Sequence, residues 1–286
     1  MKNYVFYLLS IFLLTSCEKM TDVMDIISDD YSNITFKVVQ IEQIPFENTT
    51  RSVELSSLIS RLSIAVFQGD TKIKVVNQTK TDASFGTVSM QLAPGTYQLV
   101  VIAHNGQGNC TISSPDKITF QNNKITDTFY YYGTYTVTES ATKQLTLMRP
   151  VAMFRLKITE KIPTDVVQMK FYYTGGSSTF DAVKGYGCVN SRQTEIIDVS
   201  PADYGQTSQF EIYTFPHEEN DFLNITVSAL NKSGDVFTEK VFDNIYVQQN
   251  VITQHTTSFF QSGSTSETTA TIDIYNDGQW NGTINQ

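Results

Sequence analysis

The chain is poor in the residue types that most often carry chemistry. Its 286 residues hold three cysteines, three histidines and one tryptophan, and only 17% are charged. Basic residues are the scarcest class of charge. Twenty Lys and Arg stand against 29 Asp and Glu, a net charge of −9. No window gathers a dense basic patch. A chain of this sign gains nothing from phosphate backbones, which argues against nucleic acid as a partner. The paired-cysteine spacings of zinc sites are absent. No cofactor is expected.

A membrane-spanning run is lacking too. The apolar stretch Tyr4 to Leu14 follows Lys2 and covers about 11 residues, right for a secretory h-region and too short to span a bilayer. Leu14-Thr15-Ser16-Cys17 comes next. It has the form of a bacterial lipobox, in which the chain is cut between Ser16 and Cys17 and the cysteine carries lipid. Acyl chains contribute about 0.8 kcal/mol per buried CH₂, so several give stable anchoring. Residues 1–16 read as a signal peptide and 17–30, acidic and short, as a lipidated tether with one or two helical turns. Two cysteines remain, Cys110 and Cys188. They are expected as separate thiols rather than a disulfide, because they fall in different halves of the chain.

What the chain does have is β-sequence. Phe (18) and Tyr (15) are plentiful, and with Thr, Val and Ile they suit pleated, half-buried surfaces. Leu62, Ile64 and Val66 alternate with Arg61, Ser63 and Ala65. Tyr97, Leu99, Val101 and Ala103 share a face after the turn Pro94-Gly95. Ala152, Phe154, Leu156 and Ile158 oppose Met153, Arg155, Lys157 and Thr159. Leu223, Ile225, Val227 and Ala229 oppose Asn224, Thr226 and Ser228. Period-2 alternation predicts strands with one buried face, as in sandwiches. A brief helical pattern lies near Val53 to Ser60. Arg149-Pro150 marks a boundary, since proline cannot continue a central ladder. The expected architecture is all-β: tandem Greek-key sandwiches over 31–148 and 149–286, the second ending in a strand tail.

The stretch "FYYTGGSSTFDAVKGYGCVNSRQTE", Phe171 to Glu195, is the strongest candidate for chemistry, and its motifs fail one by one. A P-loop needs Gly-x4-Gly-Lys-Ser/Thr, but Lys184 precedes Gly185. The dinucleotide fingerprint has Gly185 and Gly187 but Asn190 in its last place. "GGSSTF" lacks the final glycine of a nucleophile elbow. Cys188 as a nucleophile would need a histidine, and nothing in sequence joins it to His104, His217 or His255. His217, Glu218, Glu219 and Asp221 lack calcium-loop spacing and read as a solvated turn. The chain is therefore not read as an enzyme. The loop is expected to leave the second sandwich, turn twice and return at Gln193 to Ile197. Its glycines would supply positive-φ positions, and Ser177, Ser178 and Thr179 would bond the turning backbone.

In order along the chain, "SRLSIAVFQ", "PGTYQLVVIAHNG", "TDTFYYYG", "RPVAMFRL", the "TGGSSTF…GYGCVNSRQ" segment, "YTFPHE" and "NITVSAL" resemble the FimB-type anchor family of Bacteroidota type V fimbriae. The resemblance covers about Phe36 to Phe260 and the lipobox. It implies two transthyretin-like sandwiches on an outer-membrane lipid anchor at the base of a fimbrium. It also implies stalk-subunit partners joined by strand addition, in which backbone hydrogen bonds give affinity and alternate pockets give register. In stalk subunits an arginine-specific protease removes an N-terminal strand. Arg51 lies where such a cut would fall, or is a solvated loop arginine. The tail after Gln261, with Ala270, Ile272 and Ile274 alternating and a turn at Asn276-Asp277-Gly278, either donates a strand or closes its parent sandwich. Tyr131, Tyr172, Gly175, Gly176 and Ser177 are candidate partner contacts. The rival reading is a surface lipoprotein that binds glycans or host proteins through its tyrosine-rich strands.

Overall fold

The computed structural model describes residues 31–42, 44–45, 55–261 and 282–285. The signal peptide, Ser16, Cys17, the tether, Arg51 and residues 262–281 with their expected turn lie outside these. The first half contributes β1 (Ser32–Ile41), β2 (Ile44–Pro45), a one-turn helix α1 (Leu55–Leu58), β3 (Arg61–Gln68), β4 (Thr71–Thr79), β5 (Thr87–Leu92) and β6 (Gly95–His104). It continues with β7 (Thr111–Ser114), β8 (Lys117–Thr119), β9 (Thr128–Val137) and β10 (Ala141–Leu147). The second half holds β11 (Ala152–Ile158), β12 (Gln168–Thr174), β13 (Thr179–Asp181), β14 (Tyr186–Gly187) and β15 (Arg192–Asp198). The last strands are β16 (Ser208–Thr214), β17 (Asp221–Leu230), β18 (Val236–Val247), β19 (Val251–Thr257) and β20 (Gly282–Asn285).

Two sandwiches result. In the first, the sheet β4-β3-β6-β9 faces β10-β1-β2, with β5 also on β1. In the second, β15-β12-β17-β18 faces β16-β11-β19-β20. Both combine antiparallel and parallel pairs: β1 on β10 is parallel in the first, and β11 on β19 and β19 on β20 are parallel in the second. The alternating residues do what their period dictates. Leu62, Ile64, Val66, Leu99, Val101 and Ala103 fill the first core together with Ile34, Phe36, Val38 and Ile41 of β1. Ala152, Phe154, Leu156, Ile158, Leu223, Ile225, Val227 and Ala229 fill the second.

The other face of β3 departs from the one-buried-face expectation. Ser63, Ala65 and Phe67 are buried as well. The reason is a third core. Ala65, Phe67, Val100 and Ile102 from the back of β3 and β6 pack with Phe120, Val151, Met153, Phe180, Phe215 and Ile252. This core draws on both halves of the chain and is capped by a small sheet that does the same, β14-β13-β8-β7. There Thr179 pairs with Thr119 and Phe180 with Ile118. Residues 31–286 form one compact unit.

Candidate functional site

The loop between β12 and β15 lies at this seam, and its residues explain why it folds inward. Gly175 has φ +97°, and a Cβ there would sit 2.1 Å from the Phe222 carbonyl oxygen. Gly176 lies against Thr214, whose Oγ1 would be 2.0 Å from an added Cβ. Only glycine allows both approaches. Ser177 is completely buried. Its backbone exchanges hydrogen bonds with Phe215, at 3.0 and 3.2 Å. Its Oγ donates to the Thr179 carbonyl at 2.6 Å and accepts from the N–H groups of Thr179 and Val189. Ser178 N–H donates to Ser191 Oγ at 2.8 Å. The hydroxyls thus bind the turning backbone.

Phe180 then enters the seam core, stacked on Phe215 with centroids 4.9 Å apart and edge-on to Tyr130 at 4.8 Å. Gly176 and Ser177, two of the expected partner-contact positions, are buried in the chain itself. Their accessible surface is spent on the chain's own second half. Gly175 is exposed. Tyr172 is exposed on the outer face of β12, between Thr194 and Thr226. Tyr131 is half-buried against the first core. The structure therefore does not bring Tyr131, Tyr172 and the glycines into one site.

Arg149, read from sequence only as a boundary, is the polar centre of the seam. Its side chain is 3% exposed. Nε and Nη2 donate to the two carboxylate oxygens of Asp127 at 2.8 and 3.1 Å, and Nη1 donates to Asn250 Oδ1 at 2.8 Å. The guanidinium also lies over the Phe129 ring, 4.6 Å from its centre. Burial pushes the Asp127 carboxyl up, and Arg149 pulls it back part of the way.

The sequence's nucleophile and acid–base candidates lack the features of an activated pair: His217 reaches the backbone beside Cys188 and bonds the Val189 carbonyl and Asp221. Cys110 is buried and Cys188 exposed, both as free thiols. Burial raises both, the opposite of an activated thiolate. His104 is fully buried, its Nδ1 accepting from Gly106 N–H at 3.0 Å. Burial and Arg61 lower it to about 4. His255 is lowered as well, by burial first and then Lys240. His217 closes the "PHEEND" turn, with Nδ1 2.9 Å from Asp221 Oδ2 and Nε2 3.1 Å from the Val189 carbonyl.

Beside Arg149 a cleft of about 300 Å³ opens between the halves. Tyr130 and Tyr186 line it, and burial raises the Tyr130 hydroxyl above its ordinary value.

A family profile, that of the fimbrillin-A associated anchor proteins Mfa1 and Mfa2, matches residues 43–284. The chain belongs to this fimbrial anchor family. Among solved structures it is similar to an adhesin candidate from Bacteroides ovatus ATCC 8483, at 15% identity and TM-score 0.50, over 81% of this chain and 88% of that one. That likeness concerns the fold alone. The fimbrial anchor protein Mfa2 from Porphyromonas gingivalis aligns at 10% identity and TM-score 0.40, over 73% and 82% of the two chains. The tip fimbrial protein Mfa3 from the same organism, C-terminally truncated, aligns at 12% and 0.34, over 74% and 80%. No curated protein matches the chain.

The last described strand, β20, lies parallel on β19, with Val251 opposite Gly282 and Gln254 opposite Asn285. Here the end of the tail closes its own sandwich rather than projecting. Ala270, Ile272 and Ile274, from which the tail's pairing was read, lie outside the described residues. Arg149, Asp127, Phe180 and Tyr186 were missed as seam residues. Only the apolar Phe180 inside a polar glycine-rich loop signalled a buried role.

Proposed function

We infer that this protein is an outer-membrane lipoprotein that anchors or helps assemble a fimbrium, contacting stalk subunits by strand addition. Family membership over residues 43–284 carries the reading. The lipobox Leu14-Thr15-Ser16-Cys17 supports lipid on Cys17 and a cell-surface location at the fimbrial base. Strand addition draws its support from β20, a four-residue edge strand whose removal would bare the backbone of β19. Strand β1 supports an anchor role that keeps its N-terminus. It is flanked by β10 and β5 and supplies Ile34, Phe36, Val38 and Ile41 to the first core. A cut at Arg51 that freed it would strip those side chains out. The role is structural rather than catalytic.

Deleting the gene should leave fimbriae shed into the medium, and Cys17→Ala should release the protein from the membrane fraction. Cell-bound fimbriae of unchanged number and length in the deletion strain would overturn the reading.

A further inference from the structure

The seam cleft has the composition of a ligand site. Its volume, about 300 Å³, is at the lower end for small-molecule sites, which favour domain junctions. Six separated segments build it: the turn after β1, strand β9, the connection between β10 and β11, strand β14, the turn before β17 and the turn before β19. Arg149 is part of its lining, but that charge is already matched by Asp127.

Hydrogen-bonding capacity is left over around it. Gln249 gives its amide N–H to the Gly185 carbonyl, and among the described residues its own oxygen has no donor. Gln248 accepts from the Tyr246 hydroxyl at 3.2 Å and keeps its amide N–H groups. Glu42 and Glu219 stand exposed on the rim, and among the described residues neither forms an ion pair. The half-buried Tyr130 and Tyr186, with Met148 at 41% exposure, add apolar surface.

This mixture discriminates between ligand classes. An anion would meet two uncompensated carboxylates and a neutralised arginine. A calcium ion wants six to eight oxygens, and two carboxylates are far from that. A lysine or arginine side chain would satisfy the rim and leave the glutamine groups and tyrosine hydroxyls to water. A neutral polyhydroxylated ligand uses all of them. Its hydroxyls donate to Glu42, Glu219 and the Gln249 oxygen, accept from Gln248, and present C–H faces to the rings.

We propose that the seam cleft is a binding site for a neutral saccharide, held by Tyr130, Tyr186, Gln248 and the rim carboxylates. The site is independent of the anchoring reading, and either can fail without the other.

The full-length chain should be screened on an oligosaccharide array that includes neutral and acidic glycans, alongside an array of lysine- and arginine-containing peptides. Neutral saccharides should bind, and acidic ones should not. Calorimetry with a free neutral hit should show binding weakened about tenfold in Glu219→Gln, which removes a charged acceptor, and about fivefold in Gln248→Ala. Tyr172→Ala, outside the cleft lining, should bind as the parent does. Glu219 and Gln248 lie in turns, and matched melting curves would verify the fold of both variants. No saccharide binding, binding of acidic glycans or basic peptides alone, or saccharide binding unchanged in both cleft variants would each overturn the proposal.

Discussion

Arg149→Met removes a buried cation and leaves its partner behind. The Arg149 side chain is 3% exposed and Asp127 20%, and the pair is bidentate. Breaking such a pair by deleting one partner costs roughly 3–5 kcal/mol, because the remaining charge is buried without compensation. Replacing both partners with apolar groups of similar volume is often close to neutral. Arg149→Met should therefore lose about 3–5 kcal/mol in urea unfolding, and Arg149→Met with Asp127→Leu should recover most of it. The pH dependence has a definite sign. Without Arg149, burial dominates at Asp127, with the Thr128 N–H opposing it and Glu211 adding to it, and its carboxyl rises further. A folded state that binds more protons than the unfolded one gains stability as pH falls. The deficit of Arg149→Met should thus be smaller near about pH 5 than near about pH 7.5, as the carboxyl takes up a proton. A single variant within about 1 kcal/mol of the parent, or a double variant as unstable as the single, would refute the role assigned to this pair.

Three further outcomes follow from individual positions. His104, lowered to about 4 in the folded chain by burial and Arg61, binds a proton more readily when unfolded. Stability should fall between about pH 6.5 and pH 4 by up to about 3 kcal/mol, and His104→Gln should flatten that slope in urea titrations at stepped pH. Gly175→Ala should cost more than Gly69→Ala. Both positions have positive φ, but Gly69 faces open space while a Cβ on Gly175 meets the Phe222 carbonyl. About 1 kcal/mol is expected at Gly69 and roughly 2 kcal/mol or more at Gly175, read as melting temperatures. Phe180→Ala should cost about 3–5 kcal/mol by opening the seam core, whereas Tyr172→Ala should stay within about 0.5 kcal/mol.

The alternating strands were legible because their period is local. Leu62, Ile64 and Val66 announce a face without reference to anything else in the chain. The second burial of the same strand was not legible. Ala65 and Phe67 are apolar residues on a face that local pattern assigns to solvent, and residues distant in sequence, Met153, Phe180 and Phe215 among them, join the core that covers it. The glycine-rich loop shows the same limit. Its motif failures and its backbone-binding hydroxyls were readable, but the pairing of Thr179 with Thr119 has no local signature. The cleft is the extreme case, since Glu42, Tyr130, Tyr186 and Gln248 share no spacing that a sequence pattern could hold.

A seam of this kind bears on what an anchor must do. Two sandwiches joined by a linker alone would rotate freely, the default when an interdomain interface is small and polar. Here the junction has its own apolar core, a sheet with two strands from each half, and a buried ion pair joining the residue before β9 to the connection between β10 and β11, which also reaches the turn before β19. Pulling the halves apart would expose Phe67, Phe120, Phe180 and Phe215 at once, at roughly 1.5–3 kcal/mol for each buried side chain. Tension entering through the second sandwich would then load the first as one body. Phe180→Ala and Arg149→Met thus bear on transmission as well as stability. In the double variant Phe180→Ala with Arg149→Met, which removes both seam contributions, the two sandwiches should unfold in separate steps under urea, and a single cooperative transition there would show that these seam residues are not what couples them.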